Sequence, residues 1–124
     1  MKRVYGMLLI MAIAACSGKE EKTLGEIEVL EKPGFSKVIT EDILLVDVRT
    51  AKEYEAGFIP GAVNVDFKQK DFEKRMSYFD RETPIALYCS KGGRSSKAAK
   101  KLHKMGFSKV YDLKGGYNQW VLTE

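Results

Sequence analysis

The apolar positions of this chain change period several times, and each change marks an element. Ile27-Glu28-Val29-Leu30 alternates as a short strand does. After a Pro33-Gly34 break, Phe35, Val38 and Ile39 share one face of a short helix. Ile43-Leu44-Leu45-Val46-Asp47-Val48 is a nearly continuous apolar run bounded by charges. That pattern predicts a strand covered on both faces of a parallel sheet. Glu53-Tyr54-Glu55-Ala56 reads as one helical turn ended by Gly57, and Ala62-Val63-Asn64-Val65 as another strand. Phe72, Met76 and Phe79 mark a helix from about Lys70 to Tyr78. Pro84 opens the strand Ile85-Ala86-Leu87-Tyr88. Ala98, Leu102 and Met105 lie at i, i+4 and i+7 of a helix from Ser95 to Met105, with Lys97, Lys100, Lys101 and Lys104 on its other side. Val110-Tyr111-Asp112-Leu113 is a last strand and Tyr117 to Leu122 a closing helix. Strands separated by helices predict an α/β fold, a small parallel β-sheet flanked by helices.

The chain begins differently. Met1-Lys2-Arg3 is basic, and Val4 to Ala15 carries no charge. That run is too short to span a bilayer but has the length of a signal-peptide core. It ends Ile13-Ala14-Ala15-Cys16, which resembles the lipobox of bacterial lipoproteins. The resemblance implies cleavage before Cys16 and lipidation of Cys16. Ser17 to Gly25 is polar and charged, too poor in apolar residues to fold alone, and reads as a tether. The expected organisation is a signal peptide over 1–15, a lipidated Cys and tether over 16–25, and one folded domain over 26–124. A membrane partner through the Cys16 anchor follows, at the bacterial cell envelope, periplasmic or outer-membrane. Ser17 beside the Cys resembles lipoproteins sent to the outer membrane.

The chain has 124 residues, the length of one domain. Its net charge of +4 and pI near 9.0 would invite a nucleic-acid reading. Removal of Lys2 and Arg3 leaves +2, and no clustered basic footprint accompanies it, so no nucleic-acid partner is expected. Two Cys and one His exclude a four-ligand zinc site, and no metal or cofactor is expected. With Cys16 acylated, Cys89 is the sole remaining thiol. A monomer is expected, because a domain of this size buries enough surface to fold alone.

Candidate chemistry gathers at one strand-to-helix turn. Cys89 follows the strand Ile85–Tyr88, and Ser90-Lys91-Gly92-Gly93-Arg94 lead into the helix at Ser95. Ligands of open parallel sheets collect outside the carboxyl ends of the strands. A helix N-terminus also presents free amides there. Gly92 and Gly93 can take φ > 0 and turn those amides inward. The loop then predicts an anion cradle around a sulfur, in which the amides, Lys91 and Arg94 favour thiolate over thiol. His103 lies about 12 Å along the helix from its start and cannot serve as a base. It is expected to be a solvated residue near the helix C-terminus.

At these residues the chain resembles the rhodanese-like sulfurtransferases. Tyr88-Cys89-Ser90-Lys91-Gly92-Gly93-Arg94-Ser95-Ser96 is similar to the active-site loop of that family. Leu45-Val46-Asp47-Val48-Arg49-Thr50, Glu53-Tyr54 and Gly57-Phe58-Ile59-Pro60-Gly61-Ala62-Val63-Asn64 resemble its upstream signature. Val110 to Trp120 resembles its closing segment. The resemblance implies that Cys89 is the catalytic nucleophile and that Ser90, Lys91, Gly92, Gly93, Arg94 and Ser95 bind substrate. It implies sulfane-sulfur transfer from thiosulfate or a related donor to a thiol or cyanide, through a Cys89 persulfide. Asp47, Arg49 and Glu53 are expected to support the site structurally, with Arg49 and Glu53 spaced to pair over one helical turn. Phe58 stands where the family usually has His. Tyr117 and Trp120 are expected to pack the final helix.

Four other readings compete. The first is a persulfide carrier that does not turn over, and the second a partner-binding module. A phosphatase or arsenate reductase is third, although its loops place five residues between Cys and Arg against four here. The fourth is a structural envelope protein whose Cys89 alkylates slowly.

Overall fold

A strand that must be dry on both faces needs helices above and below it, and the observed architecture meets that need. The computed structural model describes residues 26–123. Cys16, the expected signal peptide and the expected tether lie outside the described residues. The order of elements is β1 (Glu26–Leu30), α1 (Lys32–Val38), β2 (Leu44–Asp47), α2 (Ala51–Glu55), β3 (Val63–Asn64), α3 (Phe72–Met76), β4 (Ile85–Tyr88), α4 (Gly93–Lys104), β5 (Lys109–Leu113) and α5 (Gly116–Leu122). The five strands form one sheet in the order β1-β5-β4-β2-β3, and every pairing is parallel.

Side chains alternate across a strand, so each strand feeds two cores. Val46, Ile85, Leu87, Cys89 and Val110 point to one face, where Ala98, Ala99 and Leu102 of α4 and Phe72 and Met76 of α3 cover them. Leu45, Ala86, Tyr88 and Leu113 point to the other, with Phe35 of α1 and the half-buried Tyr117 and Trp120 of α5. All four residues of β4 are buried, which fits its central place in the sheet. Burial of this kind contributes about 25 cal/mol per Å² of apolar surface.

The structure differs from expectation in the first helix. Pro33 and Gly34 lie inside the first turn of α1 rather than before it. Pro is tolerated there because the first-turn amides have no intrahelical acceptor, and its fixed φ suits the helix. His103 is half-buried rather than solvated, with Nδ1 enclosed and without a partner among the described residues.

Candidate active site

The loop after β4 emerges at the carboxyl edge of the middle strand, so it is flanked by the ends of β2 and β5. Cys89 is 1% exposed and forms the floor of a cavity of about 350 Å³. Glu53, Ser90, Lys91, Gly93 and Arg94 line its walls. The turn is made by Gly92, whose φ of 111° lies in the left-handed region that side chains avoid. Its amide donates to Cys89 Sγ at 3.0 Å. Gly93 does not share that conformation; it is the first residue of α4. One glycine, not two, therefore turns the amides inward. Ser95 is fully buried, with its Oγ 3.5 Å from Sγ and donating to the Gly92 carbonyl at 3.2 Å. Burial pushes the Cys89 thiol up, but the Ser95 hydroxyl and the amides of Ser95, Gly92 and Lys91 outweigh it, and the net displacement is downward.

The walls are held by a contact between distant segments. Thr50 caps α2 in a reciprocal arrangement with Glu53: the Glu53 amide donates to Thr50 Oγ1, and Thr50 Oγ1 donates to Glu53 Oε1 at 3.0 Å. The fixed carboxylate then receives Arg94 Nη1 at 2.8 Å and Nη2 at 3.0 Å, together with the Ser90 hydroxyl. Arg94 also donates to Ser90 Oγ at 3.1 Å. The Arg94 guanidinium holds the Glu53 carboxyl well below the usual carboxylate range; the Ser90 and Thr50 hydroxyls add to this against a partial cost of burial. The expected Arg49–Glu53 pair does not form. Arg49 instead grips the buried Asp47 through Nε at 3.0 Å and Nη2 at 2.7 Å and donates to the Gly57 carbonyl at 2.6 Å. Its guanidinium lies over Tyr117 at 4.3 Å. Asp47 and Arg49 thus tie β2 to the Gly57 turn and to α5, behind the loop, while Glu53 enters the loop itself.

This changes the electrostatics expected of the site. Arg94 is neutralised by a bidentate carboxylate. Lys91 is exposed and has no carboxylate within ion-pair distance among the described residues, so it is the free cation at the cavity mouth. Phe58 stacks on Tyr54 with centroids 4.1 Å apart, against the helix that carries Glu53.

Two contributions escaped the sequence reading. The amides of Tyr117 and Asn118 donate to the carbonyls of Cys89 (2.7 Å) and Ser90 (3.0 Å), so the first turn of α5 holds the loop from behind. Gly116 makes that approach possible: it has φ of 63°, and a Cβ there would stand 2.5 Å from the Cys89 carbonyl oxygen. The Gly115-Gly116 pair was the available signal. Asp112 is the second: it is buried behind the loop, beside Ser95. Among the described residues no group of three His, Cys, Asp or Glu side chains is placed to hold a metal ion.

The sequence profile of the family described as Rhodanese-like domain matches residues 34–123. An uncharacterized protein of Bacillus subtilis, YqhL, is 34% identical over 119 residues, 94% of this chain and 87% of that one. A protein named sulfurtransferase from Allochromatium vinosum is 37% identical over 82 residues, 66% of this chain and 75% of its own. Among solved structures, a rhodanese-related protein of Thermoplasma volcanium superposes with a TM-score of 0.68 at 22% identity, covering 77% of this chain and 91% of that one, which is a likeness of fold.

Proposed function

The chain belongs to the rhodanese-like domain family, and on that premise we propose that it is a sulfurtransferase that carries sulfane sulfur on Cys89. The observation that supports this most directly is the position of Cys89 Sγ. It sits at the floor of an open cavity, takes the Gly92 amide at 3.0 Å, and has a thiol displaced toward ionisation.

The chemistry follows from that placement. The Cys89 thiolate attacks the outer sulfur of thiosulfate; an S–S bond forms to Cys89, and the sulfur–sulfur bond of thiosulfate breaks with its electron pair leaving on sulfite. The product is an ionised persulfide, stabilised by the amides of the loop. A thiol or cyanide then takes the outer sulfur and restores the thiolate. Lys91 at the cavity mouth favours an anionic donor. The Arg94–Glu53–Ser90 cluster keeps the loop in shape rather than supplying net charge. The loop is also tight: amides close on the sulfur itself, which leaves less room for a tetrahedral phosphate or arsenate than a loop one residue longer would.

Whole-protein mass spectrometry after treatment with thiosulfate tests the proposal. The expected result is a gain of one sulfur atom that is lost on adding cyanide and absent from Cys89→Ser. No gain from thiosulfate or polysulfide would overturn it. Steady-state thiocyanate formation separates turnover from a persulfide carrier, and hydrolysis of an aryl phosphate would favour the phosphatase reading.

A further inference from the structure

Cys89 has a proton to lose before it can attack, and among the described residues the one carboxylate lining the cavity is Glu53. Glu53 is committed to Arg94, and the Arg94 and Lys91 side chains are cations. The opposite side of the sulfur is different. Asp112 lies in β5 and pairs across the sheet with Leu87 of β4 and Val29 of β1. Paired residues of a parallel sheet share a face, so its side chain lies on the face covered by α4, as do those of Leu87 and Cys89. It is 5% exposed, and its Oδ1 is enclosed without a hydrogen-bond partner among the described residues. Buried carboxylates are normally paired or hydrogen-bonded, so an orphaned oxygen here calls for a reason.

The groups facing Asp112 are few. From β1 comes Val29, from β4 Leu87, and from α4 the Ser95 hydroxyl. Burial, the larger influence, pushes the Asp112 carboxyl up to about 6, and Ser95 opposes it; among the described residues no ionised neighbour acts on it. Ser95 Oγ is also 3.5 Å from Cys89 Sγ. A hydroxyl has one proton to give; this one gives it to the Gly92 carbonyl at 3.2 Å and faces the Cys89 sulfur, while Asp112 lies on its other side and takes no hydrogen bond from it in this arrangement.

We propose that Asp112 is the buried acceptor of the Cys89 thiol proton, reached through the Ser95 hydroxyl. This rests on the reading of Cys89 as the sulfur-carrying nucleophile. The thiol proton passes to Ser95 Oγ while the Ser95 hydroxyl proton passes to an Asp112 oxygen. One S–H bond is exchanged for one O–H bond, no electron is gained or lost, and the buried region keeps one negative charge throughout. In the product state the Asp112 acid donates to Ser95 Oγ, and Ser95 donates to the thiolate. The negative charge then rests on Cys89 Sγ, which takes the Gly92 amide, rather than on a buried carboxylate with an unpartnered oxygen. The proton can stay on Asp112 while sulfur is loaded and unloaded, so two buried anions do not accumulate below the second step of the pair. Asp112 acts through Ser95 and does not meet the sulfur donor; it is a positioning residue.

Iodoacetamide alkylation of Cys89, followed by peptide mass spectrometry across pH about 5 to 9.5, tests this. Two coupled groups titrate as a pair, in two macroscopic steps. Wild type is expected to show a rate profile with two rises separated by more than about one pH unit. Asp112→Asn, which cannot take the proton, is expected to show one rise. Ser95→Ala, which leaves Asp112 but removes the bridge, is also expected to show one rise and serves where Asp112→Asn does not fold. Superimposable profiles for wild type and a folded variant, or a single rise in wild type, would overturn the proposal. The readout needs no sulfur donor, so failure of sulfur transfer would sink the functional reading and leave the role of Asp112 to be decided by the same profiles.

Discussion

Asp112 sets function against stability at the scale of one side chain. A carboxyl raised in the folded state favours the protonated form there, so its ionisation opposes folding. The sign is the reverse of the usual carboxylate case. The destabilisation is absent below the unfolded value of about 3.9, grows as pH rises from there, and is complete above about 6, the folded value. Asp112→Asn should therefore be more stable than wild type at pH 7.5 by up to about 3 kcal/mol, seen as a higher melting temperature, and lose that advantage near pH 4. Thermal melts of both proteins at the two pH values measure it. Glu53 behaves in the opposite sense. Its depressed carboxyl contributes stability that is present above about pH 4.3 and is lost as pH falls below that value. Its side chain is 34% exposed and that of Arg94 22%, so solvent screens the pair and Glu53→Gln should cost no more than about 1 kcal/mol at pH 7. The larger effect belongs to the loop, because Gln cannot hold the guanidinium and the Ser90 hydroxyl as the carboxylate does. Sulfur loading of Cys89 at subsaturating thiosulfate should fall on the order of tenfold, consistent with loss of about 1.4 kcal/mol of positioning. Loading unchanged from wild type would show that the clamp does not position the loop. None of these pairings is legible from spacing. Glu53 and Arg94 are 41 positions apart, whereas Arg49 and Glu53 stand one helical turn apart on paper. The fold decides, because Arg49 belongs to the end of β2 and turns back to Asp47 beneath it.

Elements were more legible than pairs, for a physical reason. Period 3.6 against period 2 is a local signal, and the five strands each read from a few apolar residues. What periodicity cannot show is how the start of one element fits against another. The first turn of α5 is the case in point. Its amides reach the carbonyls of Cys89 and Ser90 only because Gly116 has no side chain and takes a positive φ. Gly116→Ala would add the strain of a left-handed alanine, about 1–2 kcal/mol, and place a Cβ 2.6 Å from the Ser90 carbonyl carbon. Both backbones must move apart. The expected outcome is a melting temperature lower by roughly 5–15 °C, with sulfur loading reduced even at temperatures where the variant is fully folded. A variant as stable and as active as wild type would show that α5 does not brace the loop. Pro33 teaches the converse: its place inside α1 rather than before it is invisible to pattern, since proline suits the first helical turn as well as a break.

At the scale of the whole molecule, the sheet order gathers the chemistry at one end. β4 is the middle strand, so the loop that follows it is braced from α2 through Glu53 and from α5 through backbone amides, while Asp47 and Arg49 after β2 hold the Gly57 turn and Tyr117 of α5 in place. Every brace comes from within residues 26–123, and this makes a separation testable. If Cys16 carries lipid, as the Ile13-Ala14-Ala15-Cys16 sequence led us to expect, the anchor and the sulfur chemistry belong to different parts of the chain. Residues 16–25 could reach at most about 35 Å when extended, enough to hold the domain near a surface without entering its core. Cys16→Ala in a producing bacterium should then move the protein from the membrane fraction to the soluble fraction and abolish incorporation of an alkyne fatty acid. The purified variant should still gain one sulfur atom on Cys89 from thiosulfate, at a rate within about twofold of wild type, because substitutions remote from a site act on it independently. Membrane association that survives Cys16→Ala would refute the lipid anchor. Loss of sulfur loading would refute the independence of the two ends, and would require residues before Glu26 to take part in the site.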